Sequence, residues 1–168
     1  MAIDGKRTLL VVDGIEQDQH EDIAEFYFSP DSRHIAYVAI SDKKHFVVYK
    51  GQEHARYQGI LDIPFAFSPD GHRLVYCAQD GNKQFVVDNG QEHKRYDEIL
   101  SALILSPDGS HLAYSVNDGG RQFLVIDRQE QPQYDMVDCG QGIFDSENHL
   151  HYIGLRGDSI YLVEKDLE

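Results

Sequence analysis

Tryptophan is absent from the 168 residues, and cysteine, methionine and proline are scarce, with two, two and five copies. Basic residues are also few: 15 Lys and Arg stand against 29 Asp and Glu, and the formal net charge is −14. This acidic balance disfavours duplex nucleic acid and anionic membranes as partners, because both attract clustered basic side chains. No apolar run approaches the roughly 20 residues of a membrane-spanning helix. The composition therefore predicts one acidic globular domain that binds neither nucleic acid nor membrane.

The two cysteines, Cys77 and Cys139, belong neither to a CxxC pair nor to a cluster with the spacing of metal ligands. Nothing requires a disulfide between them, so we interpret both as idle thiols. The N-terminal residues do not resemble a signal peptide, because their longest apolar run, residues 9–12, is too short and is flanked by Asp4 and Asp13. The expected location is the cytoplasm.

An internal repeat organises the chain. The tripeptide Ser-Pro-Asp occurs three times at intervals of 39 and 38 residues, and a degenerate copy follows 39 residues later at 145–147. The three copies consist of Ser29, Pro30, Asp31, Ser68, Pro69, Asp70, Ser106, Pro107 and Asp108. A tyrosine series keeps the same period at Tyr37, Tyr76, Tyr114 and Tyr152. Several positions that share one period indicate tandem structural modules.

Each repeat reads as four short strands. In the second repeat these are residues 65–68, 74–78, 85–88 and a fourth strand that ends at 96–99. No segment keeps apolar residues at helical spacing for long. The second and third strands are nearly continuous apolar runs, which predicts that both of their faces are covered. The predicted fold is therefore all-β, a β-propeller in which four-stranded antiparallel blades pack face to face.

The predicted domain is a single β-propeller over residues 1–168, with a partial unit at 1–24, repeats at 25–63, 64–101 and 102–140, and a partial unit at 141–168. These units contain 17 strands, one more than four closed blades need. The N-terminal segment could complete the last unit and close a small ring, or the chain could form an open arc of about five blades. Two chains could also pair into a larger ring, and we expect a homodimer or higher oligomer ahead of a four-bladed monomer.

The repeat resembles a known family at specific positions. Its pattern is similar to the WD40-like repeat of the PD40 type, found in the propeller domains of TolB and of tricorn-type and prolyl-oligopeptidase-type proteins. The matching residues are Phe67, Ser68, Pro69, Asp70, Gly71, Leu74, Tyr76, Phe85, Val86, Val87, Asp88, Gly90 and Tyr96. The resemblance implies a propeller fold, usually with six or more blades, and a role as scaffold, gate or recognition domain. The Trp-Asp signature of WD40 is absent.

Candidate site residues lie in the turns. One predicted rim collects the carboxylates of Asp42, Asp80, Asp118, Asp158, Asp62 and Asp138. Such a rim could attract a cation or a basic peptide, although Asp is also common in turns because its side chain bonds nearby backbone. We interpret the Ser-Pro-Asp residues as turn-stabilising and the tyrosine series as packing between blades. The histidines are spread over different blades, so we expect no metal site and no cofactor.

Catalytic signatures such as GxSxG, the P-loop and GxGxxG are absent, which disfavours an enzyme. Our leading hypothesis is a non-enzymatic propeller that binds protein or peptide partners or itself. One alternative is a ligand-, sugar- or metal-binding or hydrolytic propeller that uses the acidic rim. Another is a fragment or truncated relative of a larger TolB-like propeller.

Overall fold

The computed structural model describes residues 7–138 and 143–168. Within these ranges the chain is all-β and contains no helix. Cys139 lies outside the described residues, as do the junction of the last two predicted units and the first six residues of the partial unit at 1–24. The strands are β1 Val11–Val12, β2 Ile15–Glu16, β3 Asp22–Phe28, β4 Ile35–Ser41, β5 Lys44–Tyr49, β6 Gln52–Glu53, β7 Gly59–Ile60, β8 Ala66–Phe67, β9 Leu74–Asp80, β10 Lys83–Asp88, β11 Gln91–Glu92, β12 Glu98–Ile99, β13 Ile104–Leu105, β14 Leu112–Asp118, β15 Arg121–Ile126, β16 Gln129–Glu130, β17 Met136–Asp138, β18 Phe144–Ser146, β19 His149–Arg156 and β20 Ser159–Asp166.

The strands form an N-terminal hairpin and four antiparallel sheets. The hairpin is β1–β2, sheet 1 is β3–β6, sheet 2 is β7–β11, sheet 3 is β12–β16 and sheet 4 is β17–β20. Tight turns connect the long central strands, as the Gly- and Asp-rich segments between them predict. The four-stranded antiparallel blades of a β-propeller are therefore present, in the order in which the repeats follow along the chain.

In sheet 2, two short strands together form the inner edge of the sheet. Both β7 and β8 pair with β9, β7 near its C-terminal end and β8 near its N-terminal end. The segment predicted as one fourth strand is divided, because Tyr57 bridges to His45 of sheet 1 while the following β7 crosses to sheet 2. Sheet 1 has instead one continuous inner strand, β3, with a bulge between Ile23 and Glu25.

The hydrophobic core lies between successive sheets rather than in one central mass. Val38 and Val47 of sheet 1 pack against Tyr76 and Phe85 of sheet 2, and the same kind of contact joins sheets 2 and 3 and sheets 3 and 4. Leu10, which precedes the N-terminal hairpin, joins a smaller cluster on the face of sheet 1 that points away from sheet 2. Both faces of β4, β9 and β14 are buried, as their continuous apolar runs predict.

Closure of a four-bladed ring across the termini is not what the structure shows. His20, in the segment expected to complete the last unit, bridges to Thr8, and Ile23 pairs with Ala39 inside sheet 1. Within residues 7–138 and 143–168, the only strand paired with β20 is β19. The N-terminal residues therefore extend the hairpin and sheet 1, where Leu10 and Ile23 find apolar neighbours.

Candidate binding surface

Each Ser-Pro-Asp segment forms a turn held by its own side chains. Ser68 Oγ donates a hydrogen bond to Asp70 Oδ1 at 2.6 Å and accepts one from the Arg73 amide at 2.8 Å. The other two turns repeat this pattern, from Ser29 to Asp31 and from Ser106 to Asp108, each at 2.5 Å. Hydrogen bonds from the Ser106 and Ser110 side chains lower the pKa of Asp108 to about 2. The turn carboxylates thus serve local structure.

The turns of neighbouring sheets nest closely. A Cβ atom on Gly109 would lie 2.6 Å from the Cβ of Ser68 and 3.2 Å from its Cα. Gly71 meets the Ser29 and Asp31 side chains in the same way, at 3.1 and 3.0 Å. Both glycines have positive φ values, +64° for Gly71 and +80° for Gly109. Glycine at positions 71 and 109 is therefore favoured by the turn and by the close approach of the preceding blade, whereas the first copy has Ser32 there with a φ of 58°.

The chain links each turn to the blade before it with different chemistry. The Tyr49 hydroxyl of sheet 1 donates to the carbonyl of Gly71 in sheet 2. In sheet 2, Arg73 Nη1 donates to the carbonyls of Gly109 and Ser110 at 2.8 and 2.7 Å. Asp88, which stands at the position of Tyr49 in its repeat, holds Arg73 by two hydrogen bonds of 3.1 and 2.9 Å. An ion pair here replaces a tyrosine.

Asp88 is a carboxylate at a sheet interface whose pKa is strongly lowered. Burial alone would raise its pKa, but contacts with His93 and Arg73 outweigh burial and lower the pKa to about 2. His93 Nε2 lies 3.7 Å from Asp88 Oδ2 and has no hydrogen-bond partner, while its Nδ1 is 3.1 Å from the Tyr114 hydroxyl. Asp88, Arg73 and His93 thus form a polar group that lies between sheets 2 and 3.

The tyrosine series lies inside the sheet interfaces. Tyr37, Tyr76, Tyr114 and Tyr152 are all buried. Histidines from the preceding blade meet two of them, with His54 Nδ1 3.1 Å from the Tyr76 hydroxyl and His93 in the same place against Tyr114. Burial raises the pKa of Tyr76 and Tyr114, so these hydroxyls stay protonated. They act in packing rather than as a ligand funnel.

The carboxylates of the predicted acidic rim are separated by basic partners. Asp80 Oδ1 lies 3.9 Å from Lys44 Nζ of sheet 1, and Asp118 Oδ1 lies 3.2 Å from Lys83 Nζ of sheet 2. Asp42 is exposed, and its Oδ2 lies 3.8 Å from an Arg56 guanidinium nitrogen. The remaining three are exposed in separate places: Asp62 follows β7, Asp138 ends β17 and Asp158 lies in the β19–β20 turn.

A second set of rim residues was not singled out from the sequence. The carboxylate of Asp97 accepts the Gly119 amide and that of Asp135 accepts the Gly157 amide, both at 2.8 Å. Gln58 accepts the Gly81 amide in the same way at 2.9 Å. Each acceptor reaches the hairpin turn of the next sheet. The sequence contains a pattern that could have identified these acceptors. Tyr57, Tyr96 and Tyr134 recur with the period of the repeat, and each acceptor directly follows one of them.

Metal ligands do not converge in the part of the chain that the structure describes, where no three His, Cys, Asp or Glu side chains are placed to hold an ion. The His149-x-His151 pair instead bonds carboxylates, with His151 Nδ1 2.7 Å from Asp145 and His149 Nδ1 2.8 Å from Asp166. The described thiol, Cys77, is buried, and burial raises its pKa to about 12. None of the described segments is a helix long and apolar enough to cross a membrane.

The outward face of sheet 4, which points away from sheet 3, carries several exposed apolar side chains without a described partner. It presents Ile153 and Leu162, directly opposite each other on β19 and β20, with 43% and 65% of their surface exposed. Met136 and Ile160 flank Leu155 in the next row and are also exposed. Exposed apolar side chains that adjoin one another on a sheet typically mark an interaction surface.

The outer edge of sheet 4 differs from those of the other sheets. Strands β5, β10 and β15 each pair with a short outer strand, β6, β11 and β16. Each also receives an additional bridge from a tyrosine: Tyr57, Tyr96 or Tyr134. Strand β20 occupies the equivalent place in sheet 4, and no described strand pairs with its outer edge. Its unpaired backbone groups are available for another strand.

Several solved structures are similar to this chain over part of their length. No family model matches the chain, and no curated protein matches it. Among solved structures, TolB from Acinetobacter baumannii is 17% identical, with 90% of this chain and 43% of that chain covered and a TM-score of 0.43. The β-propeller domain of the Trilobed protease from Pyrococcus furiosus is 15% identical, with 90% and 56% covered and a TM-score of 0.47.

A third similar structure is the acylaminoacyl peptidase from Pyrococcus horikoshii, 15% identical, with 92% of this chain and 33% of that chain covered and a TM-score of 0.46. This chain thus spans about half the length of the solved chains it matches, or less. The description of the fold rests on the sheets themselves. The resemblance to the PD40 type stays a prediction, because no family model matches.

Proposed function

We propose that this protein is a non-enzymatic β-propeller binding module of the PD40 type, and that sheet 4 is its binding surface. The outer edge of β20 would receive an extended strand from a protein or peptide partner. This mode of recognition relies on backbone hydrogen bonds for affinity and on side-chain pockets for specificity. The net charge of −14 favours a partner without phosphate groups.

The observation that carries this proposal is the contrast between β20 and the three equivalent strands. Glu53, Glu92 and Glu130 pair with a valine in the outer half of β5, β10 and β15. Val163 stands at this repeat position in β20. A partner strand in the same register would place the equivalent of these glutamates opposite Val163. The equivalent of the bridging tyrosines of the other sheets would lie near Ile160, beside the exposed Leu162.

Binding of a strand peptide tests the proposal. The probe is a labelled synthetic peptide of residues 89–100, which contains the outer strand of sheet 2. We expect saturable fluorescence anisotropy, with hydrogen-exchange protection confined to 159–166. A matched peptide with His93→Pro should bind far more weakly, because the His93 amide donates to the Val86 carbonyl at 2.8 Å in the native sheet. Equal binding of both peptides, or none up to about 1 mM, would overturn the proposal.

A further inference from the structure

Two exposed residues of sheet 4, Ile153 and Leu162, occupy repeat positions that are buried in the other three sheets. Leu162 stands at the repeat position of Val47, Val86 and Leu124, which are all fully buried. Ile153 stands at the position of Val38 and Cys77, which are buried as well. We call the face that a sheet turns toward the next sheet along the chain its trailing side, and the opposite face its leading side. Sheet 4 therefore carries the side chains of a trailing side, but no described sheet packs against them.

The leading side of the same interface is partly uncovered at the other end. Phe26 and Phe28 of β3 are 59% and 61% exposed. The counterpart of Phe26 in sheet 2, Phe65, is buried, and its ring stacks on Tyr27 of sheet 1 at 4.2 Å between centroids, while Phe67, the counterpart of Phe28, is partly buried against the same cluster. The hairpin side covers Tyr37 and its neighbours through Leu10, but it leaves the two phenylalanines open.

We infer that the outward face of sheet 4 packs against the Phe26 and Phe28 face of a second copy of this chain, head to tail. The inference rests on the proposed function, because it names the partner of the same sheet. Its physical basis is that this chain already packs a trailing side against a leading side at each of its internal sheet interfaces. The outward face of sheet 4 and the Phe26 and Phe28 part of the leading face of sheet 1 are the trailing and leading surfaces that stay exposed among the described residues.

The number of sheets favours two copies. Two chains contribute eight of these four- or five-stranded sheets, and propellers usually contain about four to eight blades. A contact of this type joins unlike faces, so it can close a ring. Both copies carry a charge of −14, so their repulsion should weaken the dimer at low salt and screening should strengthen it.

Light scattering coupled to size exclusion tests the inference with two variants that each disable one face. Leu162→Asp alters only the outward face of sheet 4, and Phe28→Asp alters only the leading face of sheet 1. The wild-type chain should show twice the mass of one chain at high concentration. Each variant alone should be monomeric, with the dissociation constant raised about tenfold or more. An equal mixture should regain a one-to-one dimer, because one intact face remains on each copy.

A matched control is Leu100→Asp, which changes an exposed leucine between β12 and β13, away from both faces. It should dimerise like the wild type, and circular dichroism should show that all three variants stay folded. If Leu162→Asp does not fold, Ile153→Lys takes its place.

A monomeric wild type would overturn the inference, and so would a homodimer of the Phe28→Asp variant, which would mean that two sheet 4 faces meet. Peptide binding by a monomeric chain would leave the proposed function standing, whereas a dimer that binds no peptide would overturn only the proposed function.

Discussion

Leu124 and Leu162 occupy the same position in successive repeats, yet Leu124 is fully buried while 65% of Leu162 is exposed. Their strands, β15 and β20, each pair with the long central strand of their sheet, β14 or β19, although β15 also pairs with the outer strand β16 and no described strand lies outside β20. The difference is the neighbour, since sheet 4 follows sheet 3 and no described sheet follows sheet 4. In a repeat protein the burial of a residue, and its contribution to stability, thus depend on whether the next module is in place.

The sharpest test of this comparison is to truncate the two leucines. Leu124→Ala should lower the free energy of unfolding by roughly 3–5 kcal/mol, because it leaves a cavity between sheets 3 and 4. Leu162→Ala should cost less than about 0.5 kcal/mol in dilute protein, where the face is in water. Urea unfolding of both variants measures the contrast. Equal losses would mean that Leu162 is covered even in the monomer.

The nested turns provide the next largest effect. Gly109→Ala should cost roughly 2–4 kcal/mol, because its Cβ would overlap the Ser68 turn and its φ of +80° is strained for alanine. Gly120→Ala is the matched control, with a φ of +78° and no atom within 4 Å of the added Cβ. It should cost only about 1 kcal/mol. Similar losses in thermal or urea unfolding would show that the turns do not pack as described.

The ion pair between Asp88 and Arg73 should make the free energy of unfolding depend on pH. The Asp88 pKa of about 2 in the folded chain is below the usual value near 4. The ionised carboxylate therefore stabilises the fold above about pH 4, and this contribution of about 2 kcal/mol is lost as the pH falls toward 2. The gap in unfolding free energy between wild type and Asp88→Asn should close over that range. Parallel pH curves would contradict the assignment.

The smallest effect is expected at the rim. Lys83→Ala removes contacts with Asp97 and Asp118 at 2.8 and 3.2 Å, both at the surface. Exposed ion pairs contribute little and are screened by salt, so the loss of stability should be the least of the set and should vanish at high salt. A loss that persists in high salt would show that Lys83 also contributes by packing between sheets 2 and 3.

Much of the architecture follows from the spacing of residues. The period of the tyrosines and Ser-Pro-Asp turns, and the apolar runs of β4, β9 and β14, were enough to predict stacked antiparallel blades. Pairing in a β-hairpin is local, and a strand with two apolar faces must be covered on both. The contacts of Lys44 with Asp80 and of Lys83 with Asp118 could not be foreseen, because each lysine comes from the sheet before.

The amino-acid pattern alone thus determines the modules: which residues form strands, where the chain turns and which side chains face a neighbouring blade. Only the tertiary structure decided how the modules meet. It divided the fourth strand between two sheets at Tyr57 and β7, required Gly109 for close approach as well as for its turn, and left the outer edge of β20 without a partner among the described strands. The physical reason is distance along the chain, since many side-chain hydrogen bonds between blades join residues more than 20 positions apart, beyond the reach of any local pattern.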